Sequence, residues 1–179
     1  MAKKAAKKKA PDTSLFKTLA PRMMRDLMRD FSPLADFQAA GAVGNGGGET
    51  SGFTQLQEIN PTVKGSKGGL GFFQWTGMKV KPAGRRRVFE ALLKKMNAGP
   101  DNYDANYEML KTELKGSEKA TITALRKTKS IDEATKIFMV KFERPGDKPH
   151  YEGRVTWSKM ALAAYQAEEK KIAKDPPAK

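Results

Sequence analysis

The sequence predicts a mainly α domain that carries a small glycine-rich β/turn insert at about residues 50–84. Apolar residues recur at helical spacing before and after that insert. The insert itself holds seven glycines, too many for a long helix. The chain has 179 residues, 39% of them hydrophobic and 30% charged, enough for one packed domain.

Taken in order, residues 1–12 are almost all Lys, Ala and Pro, a composition that cannot bury apolar surface, so they read as a disordered basic tail. The domain proper spans 13–167, and 168–179 form a charged C-terminal tail. Pro21 suits the first position of a helix, which then carries the stripe Met23, Met24, Leu27, Met28 and Phe31. Ser32-Pro33 ends it and opens a second helix through Leu34, Phe37, Ala40, Gly41 and Gly44, which Gly46-Gly47-Gly48 breaks. After Gly84 the stripe Val88, Phe89, Leu92, Leu93 and Met96 runs up to Gly99-Pro100. Tyr103, Tyr107, Leu110 and Leu114 form the next helix, stopped by Gly116. Ser117 reads as the N-cap of a short helix holding Ile122 and Leu125. Ser130 to Glu133 is a capping box, and the helix it starts carries Ala134, Ile137, Phe138 and Phe142 until Pro145 and Pro149. A last helix covers roughly Tyr151 to Lys170.

The net charge is +14, and five lysines (3, 4, 7, 8 and 9) supply part of it, so the body of the domain is basic as well as the tail. Such a charge calls for an anionic partner: nucleic acid, a membrane surface or a bacterial envelope. The absence of cysteine excludes disulfides, a thiol nucleophile and Cys-ligated metals. With His150 the single histidine, a multi-histidine metal site is excluded too, and no metal or cofactor is expected. His150 reads as a surface residue. No apolar run reaches the roughly 20 residues that span a bilayer. The basic start lacks an apolar region behind it, unlike a secretory signal.

Glu49 is the first candidate for chemistry. It follows a small-residue helix and stands at the lip of the insert, where a carboxylate can face a cleft. Phe53, Phe72, Phe73 and Trp75 are close in sequence and able to desolvate it, and desolvation favours a protonated carboxyl. A general acid for glycoside cleavage is such a carboxyl. The other reading of Glu49 is a solvated loop residue. Gln74 offers an amide donor and acceptor for sugar amides, and Trp75 an apolar face for a pyranose or else a core side chain. Phe72 and Phe73 read as core. Ser51 can bond Glu49 or cap the turn. Arg85-Arg86-Arg87 open a helix at the end disfavoured by the macrodipole, which points to an external anion or to a solvated face with one buried ion pair. Glu143 and Arg144 read as structural residues of the cleft wall, and Tyr151 as a cleft residue. Arg22, Arg25 and Arg29 interleave with the methionine stripe, a pattern shared by core helices and membrane-active segments.

Asn45, Glu49-Thr50-Ser51-Gly52-Phe53, Leu56 to Pro61, Gly68 to Gly77, Gly84-Arg85-Arg86-Arg87 and Phe142-Glu143-Arg144-Pro145 occur in that order. Together they resemble the phage-tail-type lysozyme family, itself distantly similar to goose-type lysozymes and lytic transglycosylases. The resemblance covers about residues 22–165. It departs from the family in one place: Thr50 separates Glu49 from Ser51, where the usual pattern is Glu-Ser-Gly-Phe. It implies a lysozyme-like helical domain with the insert beside the active-site cleft, and cleavage of the β-1,4 bond between N-acetylmuramic acid and N-acetylglucosamine. On that basis Glu49 is the general acid, Glu58 a second catalytic carboxylate or a surface ion-pair residue, and Ser51, Gln74, Trp75 and Tyr151 bind substrate. A lone-acid mechanism with the substrate's own N-acetyl or 6-hydroxyl group stays open, as for the transglycosylase relatives.

The expected partner is the glycan of peptidoglycan, with anionic lipopolysaccharide attracted by the N-terminal tail. Two other classes compete: a nucleic-acid-binding module, for which no reader motif is present, and a non-catalytic wall-binding or phage structural protein. No specific nucleic acid is expected, and the protein reads as a monomer. As an endolysin it would be held in the host cytoplasm and act on the wall after membrane permeabilisation; a virion-associated lysozyme is the alternative.

Overall fold

A computed structural model describes residues 12–61, 63–79, 84–145 and 150–175. Helix α1 spans Ser14–Asp30, α2 Asp36–Thr50, α3 Arg85–Met96, α4 Tyr103–Lys115, α5 Lys119–Leu125, α6 Ile131–Phe138 and α7 Tyr151–Lys174; a π-helical turn, Met139–Glu143, continues α6. Among the described residues no helix is long and apolar enough to cross a membrane.

The architecture is built around α2, which packs on α1, α6 and α7. Its residues from Gln38 to Gly47 are all buried. The expectation that Gly46-Gly47-Gly48 breaks this helix is wrong: it runs on to Thr50. Glycine is costly in a helix in isolation, but here the bare backbone lets neighbours approach. A Cβ on Gly44 would lie 2.4 Å from the Ser158 Cα of α7, and one on Gly47 would lie 2.5 Å from the Phe16 ring of α1. Tertiary contact therefore overrides propensity. The true end is at Ser51, which adopts a left-handed conformation (φ 50°), with the Gly52 N–H closing back on Gly47 O at 2.8 Å.

Pro21 does not start α1 but lies inside it. The buried face begins a turn earlier, with Phe16 and Ala20 ahead of Met23, Met24 and Leu27. The methionine stripe is thus consumed by the core, and the arginines between pair with acids: Arg22 with Asp104 at 2.6 Å, Arg25 with Glu168 at 2.7 Å, Arg29 with Asp30 at 2.9 Å. That pattern belongs to a core helix, not to a membrane-active one.

In α3 the buried face narrows to Arg86, Phe89 and Leu93; Val88 and Met96, expected in the stripe, are exposed. Asn102 caps α4 by accepting the Ala105 N–H at 2.9 Å. The α4 tyrosines tie it to α1, Tyr103 donating to Asp26 at 2.6 Å and Tyr107 to Asp30 at 3.0 Å. Ser117 does not cap α5, whose N-cap is Glu118, with no side-chain hydrogen bond to the helix start. Ser130 does cap α6, accepting the Glu133 N–H at 3.2 Å, while Glu133 reaches back one residue further to the Lys129 N–H at 2.7 Å. Helix α7 continues past Lys170 to Lys174, so residues 168–174 are helical. The basic tail at 1–11 and the stop at Pro149 lie outside the described residues.

The insert carries its glycines in turns, as expected, but its β structure is reduced to isolated antiparallel bridges: Gln57 with Leu70, Ser66 with Met78, Leu70 with Trp75. Its aromatic residues face inward. Phe53, Phe72, Phe73 and Trp75 join Phe16, Phe89, Phe138 and Phe142 as fully buried rings, with Phe53 stacked on Phe72 at 4.4 Å and Trp75 against Phe89 at 4.5 Å.

Candidate active site

A cleft of about 600 Å³ opens between the insert and the junction of the π turn with α7. The insert contributes Gln55, Gln57, Glu58, Val63, Gly69, Phe73, Gln74 and Thr76; the opposite side contributes Glu143, Arg144, Pro145, His150 and Arg154; Glu49 and Arg85 lie there too.

Glu49 arrives on the last turn of α2, and its side chain keeps 24% of its surface. That turn is the negative end of the helix dipole, a poor place for a carboxylate. Arg154, from the first turn of α7 and nearly buried, offsets it through an ion pair to Glu49 Oε1. Gly48 makes room, since a Cβ there would stand 2.9 Å from Arg154 Cγ. Arg154 also donates to Asn45 Oδ1 at 3.1 Å. Asn45, one turn before Glu49, in turn donates to Gly41 O at 2.8 Å and to Thr135 O of α6 at 3.0 Å. Three helices thereby fix the position of one carboxylate.

Glu143 is the second carboxyl near this point. The backbone delivers it through the π turn: the Arg144 N–H reaches Met139 O at 2.9 Å, a five-residue ring that admits one extra residue. Arg144 then leaves in a left-handed conformation (φ 50°) and pairs with Glu118. Glu143 Oε1 is enclosed and has no hydrogen-bond partner. Burial, aided by the charge of Glu49, pushes its carboxyl well above the usual range, against the opposing pull of Arg154 and Arg85. The sequence reading made Glu143 structural. The available signal was an acid directly after Phe142 and the apolar run Ile137 to Val140. Arg154 escaped that reading altogether; its signal is its place one turn from Ser158 on the buried face of α7.

The other expected site residues divide. Glu58 lines the cleft, its Oε2 accepting the Gly69 N–H at 3.0 Å. Gln74 lines it as well, left-handed at φ 45°, with Nε2 donating to Gly71 O at 3.0 Å and Gln55 O at 3.2 Å. Trp75 does not: it is 1% exposed, and its indole N–H donates to Glu113 at 2.8 Å, so it offers no face to a sugar. Phe53 and Phe72 are core residues, and Phe73 alone of the four aromatics expected near Glu49 also lines the cleft. Ser51 caps α2 and is not among the cleft residues. Tyr151 is not either; its hydroxyl donates to Asp132 O at 2.9 Å. His150 does line the cleft.

Arg85 grips Glu113 with two bonds of 2.6 Å and donates to Phe142 O at 3.1 Å. Arg86 pairs with Glu90 at 2.9 Å and donates to Lys67 O at 2.6 Å. Internal partners, rather than an external anion, explain these two cations at a helix start. Among the described residues no group of three or more His, Cys, Asp or Glu is arranged to hold a metal.

The family model of the phage tail lysozymes matches residues 31–165. The chain belongs to the phage tail lysozyme family. No curated protein and no solved structure matches it. The match takes in α2 with Glu49, the insert, the π turn with Glu143, and Arg154, so the whole cleft lies inside the phage tail lysozyme segment. Membership in the phage tail lysozyme family carries, in general terms, a lysozyme-like cleavage of peptidoglycan.

Proposed function

We propose that this protein is an endolysin-type glycoside hydrolase that cleaves the β-1,4 bond between N-acetylmuramic acid and N-acetylglucosamine, with Glu49 as the general acid. The observation that carries the reading is the part-exposed Glu49 carboxyl at the end of α2, opening into a cleft large enough for a sugar and held by Arg154. Such an acid protonates the leaving glycosidic oxygen. Glu58, turned toward the same cleft and anchored on Gly69, is the candidate to activate water; Gln74 holds the sugar with the carbonyl of its amide. The +14 charge draws the protein to the anionic envelope, with lipopolysaccharide as a second target of the basic N-terminus. The site of action would be the wall, reached from the host cytoplasm after membrane permeabilisation.

Purified peptidoglycan incubated with the protein, followed by mass spectrometry of the released muropeptides, tests this. Reducing muropeptides are expected. Products lighter by one water would replace hydrolysis by a transglycosylase reaction on the same bond. Glu49→Gln is expected to keep the melting temperature and lose wall cleavage by about 10²–10⁴-fold; full activity in that variant overturns the assignment.

A further inference from the structure

A second cavity opens in the insert beside the active-site cleft. It measures about 410 Å³, and its lining includes Glu58, Pro61, Val63, Ser66, Thr76 and Met78. Glu58, Val63 and Thr76 line the cleft as well, so the two share a wall, whereas Met78 belongs to the second cavity and not to the cleft. Val63 and Met78 are apolar yet 63% and 43% exposed, and neither joins the core cluster. Exposed apolar groups gathered in a concavity mark a binding site rather than a packing need. The backbone keeps this concavity in shape. Ser66 and Met78 form an antiparallel bridge, flanked by the Lys67 N–H on Gly77 O and the Lys79 N–H on Gly65 O, both at 2.8 Å. The Glu58 N–H reaches Gly69 O at 3.0 Å, and the Arg86 N–H donates to Thr76 O at 2.9 Å, tying the insert to the start of α3.

We propose that this cavity is a subsite for the lactyl-peptide arm of peptidoglycan, with the lactyl methyl against Val63 and the first peptide side chain against Met78. The proposal rests on the reading of the cleft as the seat of the glycan. N-acetylmuramic acid carries a lactyl ether on O3, and the lactyl carboxyl is joined to a short peptide that opens on a small apolar residue. Every muramic ring that enters the cleft brings this arm with it, and the arm needs a place within a few bonds of the ring. The cavity offers that place across the shared wall, with Val63 on both sides of it and Met78 beyond. Its apolar side chains suit methyl groups, and a preformed shape receives them at little ordering cost. The subsite therefore favours wall glycan that still bears its peptides over the same glycan without them.

The full chain is tested on soluble glycan strands with their peptides intact and on the same strands stripped of peptides by an amidase. Wild type is expected to show kcat/KM about tenfold higher on the intact strands, mostly through KM, the gain from burying one or two methyl groups. Met78→Ser, at a half-exposed position outside the cleft, is expected to reduce that preference to about twofold while cleaving stripped strands as wild type does. Equal rates of wild type on the two substrates, or an unchanged preference in Met78→Ser, overturns the proposal. A binding readout stands apart from catalysis. In protein labelled with ¹³C-methyl methionine, the Met78 methyl signal, assigned by its loss in Met78→Ser, is expected to shift on adding muramyl dipeptide and to stay in place with N-acetylmuramic acid. No shift with the dipeptide, or the same shift with both, overturns the proposal. Should wild type cleave neither substrate, the reading of the reaction fails instead, and the Met78 signal alone decides the subsite.

Discussion

Trp75 is held on two sides, its ring 4.5 Å from Phe89 and 5.7 Å from Phe73, its indole nitrogen bonded to Glu113. Glu113 is nearly buried and binds Arg85 as well. Removing the indole N–H takes one of three hydrogen bonds from a buried carboxylate that Arg85 still holds, a loss of about 1–3 kcal/mol. Trp75→Phe is therefore expected to lower stability by that amount in denaturant titration while leaving KM for peptidoglycan unchanged. A raised KM with unaltered stability would return Trp75 to the cleft. At this scale the sequence was legible where placement depends on position along one helix, as for Glu49 at the end of α2 beside the cleft. It was silent where a residue's role depends on partners far along the chain. Trp75 finds Glu113, and Glu49 finds Arg154, across separations that no local pattern encodes.

Helix α2 shows the same limit one level up. By propensity its run of Ala and Gly reads as a weak helix with an early stop. Its stability comes from neighbours seated where side chains would be. Exposed mid-helix Gly→Ala changes usually stabilise; Gly44→Ala is expected to do the reverse, because the new methyl meets Ser158 at 2.1 Å at Oγ and 2.4 Å at Cα. A cost of roughly 2–3 kcal/mol, or a fall in Tm of about 5–10 °C, follows for a backbone that must shift apart. Calorimetry checks it, and a Tm at or above wild type would mean that α7 slides at little cost. The helices with ordinary amphipathic stripes, α4 and α6 above all, were legible from period and cap, because there a local signal and a tertiary need coincide. In α1 the buried face overrode the preference of Pro21 for a first position.

At the scale of the whole molecule, the raised ionisation of the buried Glu143 couples stability to pH. Its carboxyl releases its proton near pH 4.3 in the unfolded chain and at a clearly higher pH in the folded one. Between those values the folded state binds more protons, so the stability owed to this group falls as pH rises through that window and is level on either side. Glu143→Gln lacks the term. The Tm of the variant minus that of the wild type is expected to increase from acid to neutral pH; a difference constant with pH would show that Glu143 ionises at the same pH folded and unfolded. The fold class and the insert were visible in the sequence because composition and period are global. The exposure of Glu143 to the charge of Glu49 was not, since it is made by the approach of α2 to the π turn that follows α6.

The π turn at Met139–Glu143 has a meaning for length as well as for shape. It is a helix with one residue more than its hydrogen-bond ladder needs. Deleting one residue from it would let the chain relax to an ordinary helical turn while the segments on either side keep their register. The turn is thus a built-in slack point, where the length of the α6 segment can change by one residue without displacing the helices it joins to α2.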